Sequence, residues 1–178
     1  MGTVAQRLES QLLKYPGMMA DETLVWRTWA AANEQNYDRF DHNIRLGPGI
    51  DPGPSFLPAV RRAAILNSQL RIDTVGWQGI DTTQLPSKIE TPQTVYDIFP
   101  SAIATIFEVK RRAIPSTIGE LLTYYHTWVQ DFPAAVPPAM VIVCAGYAQT
   151  IIAPATANKI NVSVVAVNFS ILSNASGS

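Results

Sequence analysis

The sequence has a single cysteine, two histidines and no excess of basic residues, and each scarcity excludes a class of protein. Cys144 has no second cysteine with which to form an internal disulfide. With two histidines that lie far apart in sequence, a Cys/His zinc site within the chain is not expected either. The 13 basic and 14 acidic residues give a net charge of −1, so the chain lacks an overall positive field for holding nucleic acid. Any contact with nucleic acid must come from a local patch.

Long uninterrupted apolar stretches are also missing. The amphipathic first fifteen residues include Arg7, Glu9 and Lys14 and have no apolar segment of the secretory type, so export is not expected. Residues 132–158 carry no charge over a length that could span a bilayer. Four prolines interrupt this stretch, and its compact apolar part has the length of a strand. We therefore expect a cytoplasmic protein that is not secreted and has no membrane segment.

Charge is nearly absent from the C-terminal quarter, where Lys159 is the only charged residue after Asp131. The chain has 178 residues, 47% of them hydrophobic, which favours a single domain over residues 1–178 with a sizeable core. Residues 160–178 are predicted to form a C-terminal strand and a polar tail. Because few charges protect the edge of this strand, it could add to a neighbouring sheet and join copies of the chain or a larger assembly.

Hydrophobic periodicity predicts an alternation of helices and strands. Helices are predicted at 3–15, 20–33, 56–66 and 115–131; strands at 40–46, 70–77, 102–109, 139–147 and 160–172, with 150–153 as a hairpin partner. Residues 78–100 are rich in turn signals and are predicted to form an insertion. Thr117 and Glu120 have the spacing of a capping box. The strand–helix–strand pattern over 103–147 predicts a parallel crossover and hence an α/β fold with a mixed central sheet flanked by helices.

Three charged residues lie on otherwise apolar strands: Asp73, Glu108 and Lys110. Residues i and i+2 of a strand point to the same face, so Glu108 and Lys110 project together near the end of theirs. If the strand of Asp73 is adjacent, two carboxylates and an ammonium converge. Carboxylate oxygens suit Mg²⁺ or Mn²⁺, and a lysine beside the metal can orient a water molecule.

This pattern resembles the PD-(D/E)xK, or restriction-endonuclease-like, nucleases. The segments that carry the resemblance are Arg71-Ile-Asp73-Thr-Val, Phe107-Glu-Val-Lys110, Ile118-Gly-Glu-Leu-Leu-Thr-Tyr-Tyr125 and Val141-Ile-Val-Cys144. The resemblance covers residues 20–150 and implies a restriction-endonuclease-like core. It also implies that Asp73 and Glu108 bind Mg²⁺ (or Mn²⁺) and that Lys110 positions the attacking water. The layout is similar to that of small bacteriophage proteins, which would place the chain in the host cytoplasm or the virion.

The same resemblance suggests further site residues. Many members add a carboxylate from the first core helix, for which Glu22 is the first candidate and Glu9 the second. Members of the exonuclease branch often have Gln-x-x-x-Tyr after the lysine, and here Glu120 and Tyr124 have that spacing. Two features depart from the family: no proline precedes Asp73, and the long gap to the next motif requires the insertion at 78–100.

Other roles for these residues are open at this level. Asp73 could instead form an ordinary salt bridge with Arg71, and Glu108 with Lys110 could be a surface ion pair. Arg111 and Arg112 extend the basic run and are candidates for contact with DNA phosphates, with a solvated loop as the alternative. Residues expected to serve only packing are the four tryptophans and Cys144.

Two main functions follow from these predictions. The first is a Mg²⁺-dependent nuclease that hydrolyses DNA phosphodiester bonds. The second is a non-catalytic structural or interaction protein with a nuclease-like fold, in a larger assembly such as a phage head–tail connection. A metalloenzyme other than a nuclease is a third class, because carboxylates at strand ends also occur in other α/β hydrolases.

Overall fold

Five strands form one mixed sheet in a computed structural model that describes residues 15–170. The strands are β1 (Arg39–Leu46), β2 (Leu70–Gln78), β3 (Ile103–Lys110), β4 (Ala139–Cys144) and β5 (Ile160–Val164). The helices are α1 (Ala20–Asn33), α2 (Pro58–Ser68), α3 (Gln93–Tyr96), α4 (Pro115–Asp131) and α5 (Ile152–Ala157). The strands follow one another across the sheet in chain order; the β1–β2 and β2–β3 pairs are antiparallel, and β3–β4 and β4–β5 are parallel. The predicted α/β class with a mixed central sheet is confirmed.

Helices cover both faces of the sheet and create two cores. On one face, α4 packs through Leu121 and Trp128 against apolar residues of β1 to β4; we call this the α4-side core. On the other face, α1 packs through Trp26 and Trp29 against Phe107 and the odd-numbered residues of β4; we call this the α1-side core. All four tryptophans and Cys144 are buried, as the sequence predicts. No helix within residues 15–170 is long and apolar enough to cross a membrane.

Two predicted elements differ in the structure, and a third lies outside the described residues. The hairpin strand predicted at 150–153 is wrong, because residues 149–151 form a 3₁₀ turn that leads into α5. The strand predicted over 160–172 ends at Val164, and 165–168 continue as irregular chain. The helix predicted at 3–15 falls almost wholly on residues outside the described range. Glu9, the second candidate for an extra carboxylate, lies outside it too.

The insertion at 78–100 closes the outer edge of β1. The guanidinium of Arg39 donates hydrogen bonds to the carbonyl oxygens of Pro86 (2.8 Å) and Ser87 (2.9 Å). It also forms an ion pair of 2.7 Å with the buried Asp41. Asp41 in turn accepts a hydrogen bond of 3.1 Å from the indole of Trp77. These contacts fix the insertion to the edge strand.

The strands β1 and β2 change face at the level of Asn43, which has a φ of +57°. Before it, Phe40 contributes to the α1-side core. After it, Ile44 and Leu46 contribute to the α4-side core, although a strict period of two would place them on the α1 side. Asn and Asp adopt left-handed backbone more readily than other residues with a Cβ, which explains why an asparagine occupies this position. The irregularity lies beside Asp73 of β2 and marks the end of the sheet at which the candidate site residues meet.

Candidate functional site at the ends of strands β2 and β3

The side chains of Glu108 and Lys110 point to the same side of β3 and touch. Lys110 Nζ lies 2.5 Å from Glu108 Oε1. The Glu108 side chain is 1% exposed, and that of Lys110 is 27% exposed. The pair therefore lies within the structure on a central strand and is not a surface ion pair.

Asp73 joins this pair through the backbone of β3. The β2–β3 ladder ends at Thr74↔Phe107, and beyond it Asp73 Oδ2 accepts a hydrogen bond of 3.0 Å from the Val109 amide. A side-chain carboxylate thus replaces the next strand-to-strand contact and brings Asp73 beside Glu108. The alternative salt bridge from Asp73 to Arg71 does not form, because Arg71 Nη1 instead donates to Asn43 Oδ1 at 3.4 Å.

Two further carboxylates approach Lys110, one from each flanking helix. Glu22 Oε1 of α1 lies 3.9 Å from Lys110 Nζ, and Glu120 Oε2 of α4 lies 3.4 Å from it. The other oxygen of Glu22 accepts a hydrogen bond of 2.9 Å from the Met19 amide. This bond fixes Glu22 at the start of α1. Lys110 is therefore the shared cation of several carboxylates.

The predicted capping role of Glu120 is wrong. Helix α4 begins at Pro115, so Thr117 is its third residue, and its hydroxyl accepts a hydrogen bond of 3.2 Å from the Ile114 amide. Glu120 lies one turn further along, where no free backbone amide needs it. Glu22 occupies the third position of α1 and makes the capping contact that the sequence pattern assigned to Glu120. Glu120 is thereby free to interact with Lys110.

Burial and mutual repulsion shift the acidity of the cluster. Burial raises the pKa of Glu108 well above its ordinary value, and the charge of Asp73 adds to this while Lys110 opposes it. Burial likewise raises the pKa of Asp73, to about 6, against the hydrogen bond from Val109 and the charge of Lys110. Desolvation would lower the pKa of Lys110, but the attraction of Glu108 outweighs it and raises the pKa. Lys110 therefore remains an ammonium at neutral pH.

The charges of the cluster also affect the pKa of Tyr124 in α4. Burial raises the pKa of its phenol, and the carboxylates Glu108, Asp73 and Glu120 raise it further. The phenol is therefore protonated at neutral pH and can act as a hydrogen-bond donor beside the cluster. Tyr124 and its neighbour Tyr125 are both partly buried against the α4-side core.

One feature of these carboxylates favours the binding of a divalent cation. The second oxygen of Glu108, Oε2, is buried and has no hydrogen-bond partner, which is costly for a carboxylate unless a cation or water satisfies it. Within residues 15–170, no group of three or more His, Cys, Asp or Glu side chains has the spacing of a metal site. Mg²⁺ commonly takes only one or two protein carboxylates and completes its shell with water and substrate phosphate, so Asp73 and Glu108 suffice as ligands.

The predicted DNA-contacting arginines lie directly after β3. Both are exposed, and the guanidinium of Arg111 lies 4.6 Å from the centre of the Phe169 ring. This cation–π contact brings residues that follow β5 to the rim of the site.

Two contributors to the site were not predicted from the sequence. One is the Val109 amide, which holds Asp73; a backbone group leaves no signal in a residue pattern. The other is Asn43, whose left-handed backbone accompanies the change of face in β1 and β2. An asparagine inside an otherwise strand-like run is a recognisable sign of such a position.

Comparison with known proteins yields no match: no family model, no curated protein and no solved structure matches the chain. The resemblance of Asp73, Glu108 and Lys110 to the PD-(D/E)xK pattern therefore stays a prediction from the sequence. The chemistry of the site has to be inferred from its own atoms.

Proposed function

We propose that the protein is a Mg²⁺-dependent nuclease that hydrolyses DNA phosphodiester bonds, with a restriction-endonuclease-like core. One observation carries the proposal: Asp73 and the buried Glu108 lie side by side at the strand ends, with Lys110 Nζ 2.5 Å from Glu108. A buried carboxyl pair with an adjacent ammonium is often less favourable to stability than apolar residues of similar volume, so a role in function explains why it is kept. Such perturbed clusters occur most often at functional sites.

The residues have distinct roles in the proposed reaction. Asp73 and Glu108 would hold Mg²⁺, which when bound supplies Lewis-acid polarisation of the phosphate and lowers the pKa of a water molecule. The ammonium of Lys110 donates a hydrogen bond to the attacking water and offsets negative charge at the phosphate. The water oxygen bonds to phosphorus and releases a proton to solvent as the ester P–O bond breaks, and the departing oxygen takes up a proton from solvent.

The remaining polar residues position Lys110 and complete the rim. Glu22 and Glu120 attract the ammonium from opposite helices, so its side chain is held over the strand end. The protonated phenol of Tyr124 is available as a donor to a phosphate oxygen. Arg111 and Arg112 would contact backbone phosphates further from the scissile bond, since such contacts position nucleic acid without reading its sequence.

The proposal is tested by cleavage of labelled DNA with Mg²⁺, with EDTA, and with the variant Lys110→Ala. We expect EDTA to abolish cleavage and the variant to lose a factor of about 100 or more, because a donor beside the reacting group is removed. Lys159→Ala is the matched control, since Lys159 is exposed and lies just before β5, at the end of the parallel strands opposite Lys110. Robust cleavage by an Asp73→Ala/Lys110→Ala double variant would contradict the proposal.

A second candidate function rests on the other end of the sheet. Strand β5 is an edge strand without charged residues, and Val164 at its end is 51% exposed. Natural proteins usually protect such edges with charge, proline or a covering segment. We infer that β5 can pair with a second chain and that the protein could act as a structural part of an assembly, such as a phage head–tail connection.

Light scattering after size-exclusion chromatography tests this second candidate. We expect an oligomer that Val164→Lys converts to monomer, because a lysine on the edge disfavours strand addition. Val136→Lys provides a control of equal exposure, 51%, outside the sheet. A monomeric wild-type protein would argue against assembly through β5.

A further inference from the structure

Two arginines face each other across the β1–β2 ladder at the site end of the sheet. Arg45 and Arg71 are direct cross-strand partners in the antiparallel register. Side chains of such partners project from the same face with Cβ atoms about 5 Å apart. Their neighbours Ile44 and Ile72 enter the α4-side core, so the arginines lie on the opposite face, the α1 side. Like charges placed directly opposite each other are destabilising.

The local acidic residues do not balance these cations. Arg45 Nη1 lies 3.0 Å from Glu90 Oε2, but the other oxygen of Glu90 accepts from Lys88 at 2.9 Å. Arg71 is exposed and donates to the neutral Asn43 oxygen at 3.4 Å. Within residues 15–170 no carboxylate lies within ion-pair distance of Arg71. Two cations thus share Glu90, and Arg71 has no carboxylate partner among the described residues, so an anion from outside the chain would complete the charge balance.

The pair lies next to the candidate nuclease site. Arg71 is two residues from Asp73 on the same strand, which is about 7 Å along it. Arg71 and Lys110 both lie beyond Thr74↔Phe107, the last pair of the β2–β3 ladder, and so at the same end of these two strands. The backbone just before α1 also reaches this area, because a Cβ placed on Gly17 would lie 3.3 Å from Asn43 Oδ1.

We propose that Arg71, supported by Arg45, binds a backbone phosphate of the nucleic acid whose neighbouring phosphodiester lies at Asp73 and Glu108. The guanidinium offers paired donors that suit phosphate oxygens, and its weak bond to a neutral amide is easily exchanged. This phosphate contact would not depend on the DNA sequence and would lie on the α1 side of the scissile phosphate. Arg111 and Arg112, which follow Lys110 in the chain, would contact other phosphates. The inference rests on the proposed nuclease function for the identity of the ligand.

The test is fluorescence anisotropy of a labelled DNA duplex and of its single strand, in EDTA and over a series of salt concentrations. We expect Arg71→Gln to weaken binding to all sequences alike and to lower the slope of log affinity against log salt by about 1. Arg62→Gln on α2 is the matched control, because it removes the same charge from another exposed arginine and should leave the slope unchanged. Thermal unfolding of Arg71→Gln should occur at the same or a higher temperature, since the variant relieves repulsion from Arg45.

The outcomes separate this inference from the nuclease proposal. An unchanged affinity and salt slope in Arg71→Gln, or a loss equal to that of Arg62→Gln, would overturn the phosphate site even if Asp73→Asn abolishes cleavage. If the wild-type protein binds DNA through Arg71 but does not cleave it, the phosphate site stands and the nuclease proposal fails. A wild-type protein that binds neither form of DNA would overturn the inference. Reduced stability of Arg71→Gln with normal binding would show that Arg71 has only a structural role.

Discussion

Neighbouring residues of β3 lie in opposite chemical environments. Phe107 and Val109 point to the α1 side, where both are fully buried among aromatic and aliphatic side chains. Glu108 and Lys110 point to the α4 side, where they meet a cluster of further carboxylates. One face of the strand therefore stabilises the fold while the other carries buried charge that opposes it. Functional sites that are costly to stability are commonly supported in this way by rigid, well-packed elements.

The stabilising side centres on the ring of Phe107. Its centroid lies 4.8 Å from that of Trp29, 5.2 Å from that of Trp26 and 5.7 Å from that of Tyr37. Edge-to-face and tilted contacts of this kind add to the hydrophobic gain from burial. Because the ring anchors β3 against α1, it also fixes the direction in which the next residue, Glu108, projects to the other face.

The largest effect on stability is expected for Phe107→Ala. Removing a fully buried aromatic ring leaves a cavity and costs about 3–5 kcal/mol of unfolding free energy, measurable by urea denaturation. Ile103→Ala on the same strand is the control; Ile103 is 45% exposed, and its truncation should cost less than about 1 kcal/mol. Equal losses for the two variants would show that the burial of Phe107 among the α1-side rings does not stabilise the strand.

Most of the fold could be predicted from the sequence because its elements have strong local patterns. Helix α1, the helix after Pro115 and strands β1 to β3 match their predicted ranges closely. Local patterns failed where tertiary structure decides the outcome. Residues 150–153 are apolar enough for a strand, yet they form a 3₁₀ turn and the start of a short helix between two parallel strands, which a hairpin could not connect.

A somewhat smaller effect is expected when Lys110 loses its charge. The variant Lys110→Met leaves the buried Glu108 without its counter-ion, and we expect it to cost about 2–3 kcal/mol at mildly alkaline pH. The estimate is below the range for fully buried pairs because Lys110 is 27% exposed. The double variant Glu108→Met/Lys110→Met should regain this stability or exceed the wild type, since apolar residues replace the whole pair.

Urea denaturation of the wild type, Lys110→Met, Glu108→Met and the double variant measures the coupling between the two charges. Lys88→Met serves as the control and should change the unfolding free energy by less than about 0.5 kcal/mol, because Lys88 is 76% exposed. A double variant that is as unstable as Lys110→Met would mean that the charged side of β3 stabilises the fold, and the contrast between the two sides would fail.

The candidate site was only partly predictable for a physical reason. The spacing of Glu108 and Lys110 follows from the period of a strand, so their contact could be predicted. The hydrogen bond from the Val109 amide to Asp73 depends on the end of the β2–β3 ladder, which sequence spacing does not encode. Whether Glu22 or Glu120 caps its helix depends on the residue at which that helix begins, and α4 begins two residues before Thr117.

The smallest expected effect is a pH dependence that differs in sign between the two sides of the sheet. Burial raises the pKa of Asp73 from 3.8 to about 6 in the folded protein. The contribution of Asp73 to the free energy of unfolding is therefore fully present below its pKa in the unfolded chain. It is lost as the pH rises through 6, by on the order of 2 kcal/mol. On the α1 side, burial lowers the pKa of His42 from 6.5 to about 4, so its contribution is lost as the pH falls through that interval.

Urea denaturation in EDTA across this pH interval distinguishes the two groups. Relative to wild type, Asp73→Asn should gain stability as the pH rises, whereas His42→Phe should gain stability as the pH falls. Added Mg²⁺ should reduce the alkaline loss in the wild type but not in Asp73→Asn, because a bound cation favours the ionised carboxylates. If the stability of Asp73→Asn follows that of the wild type at every pH, folding does not raise the pKa of the Asp73 carboxyl group. Asp73 would then be an ordinary solvated residue, and the charged side of the strand would consist of the Glu108–Lys110 pair alone.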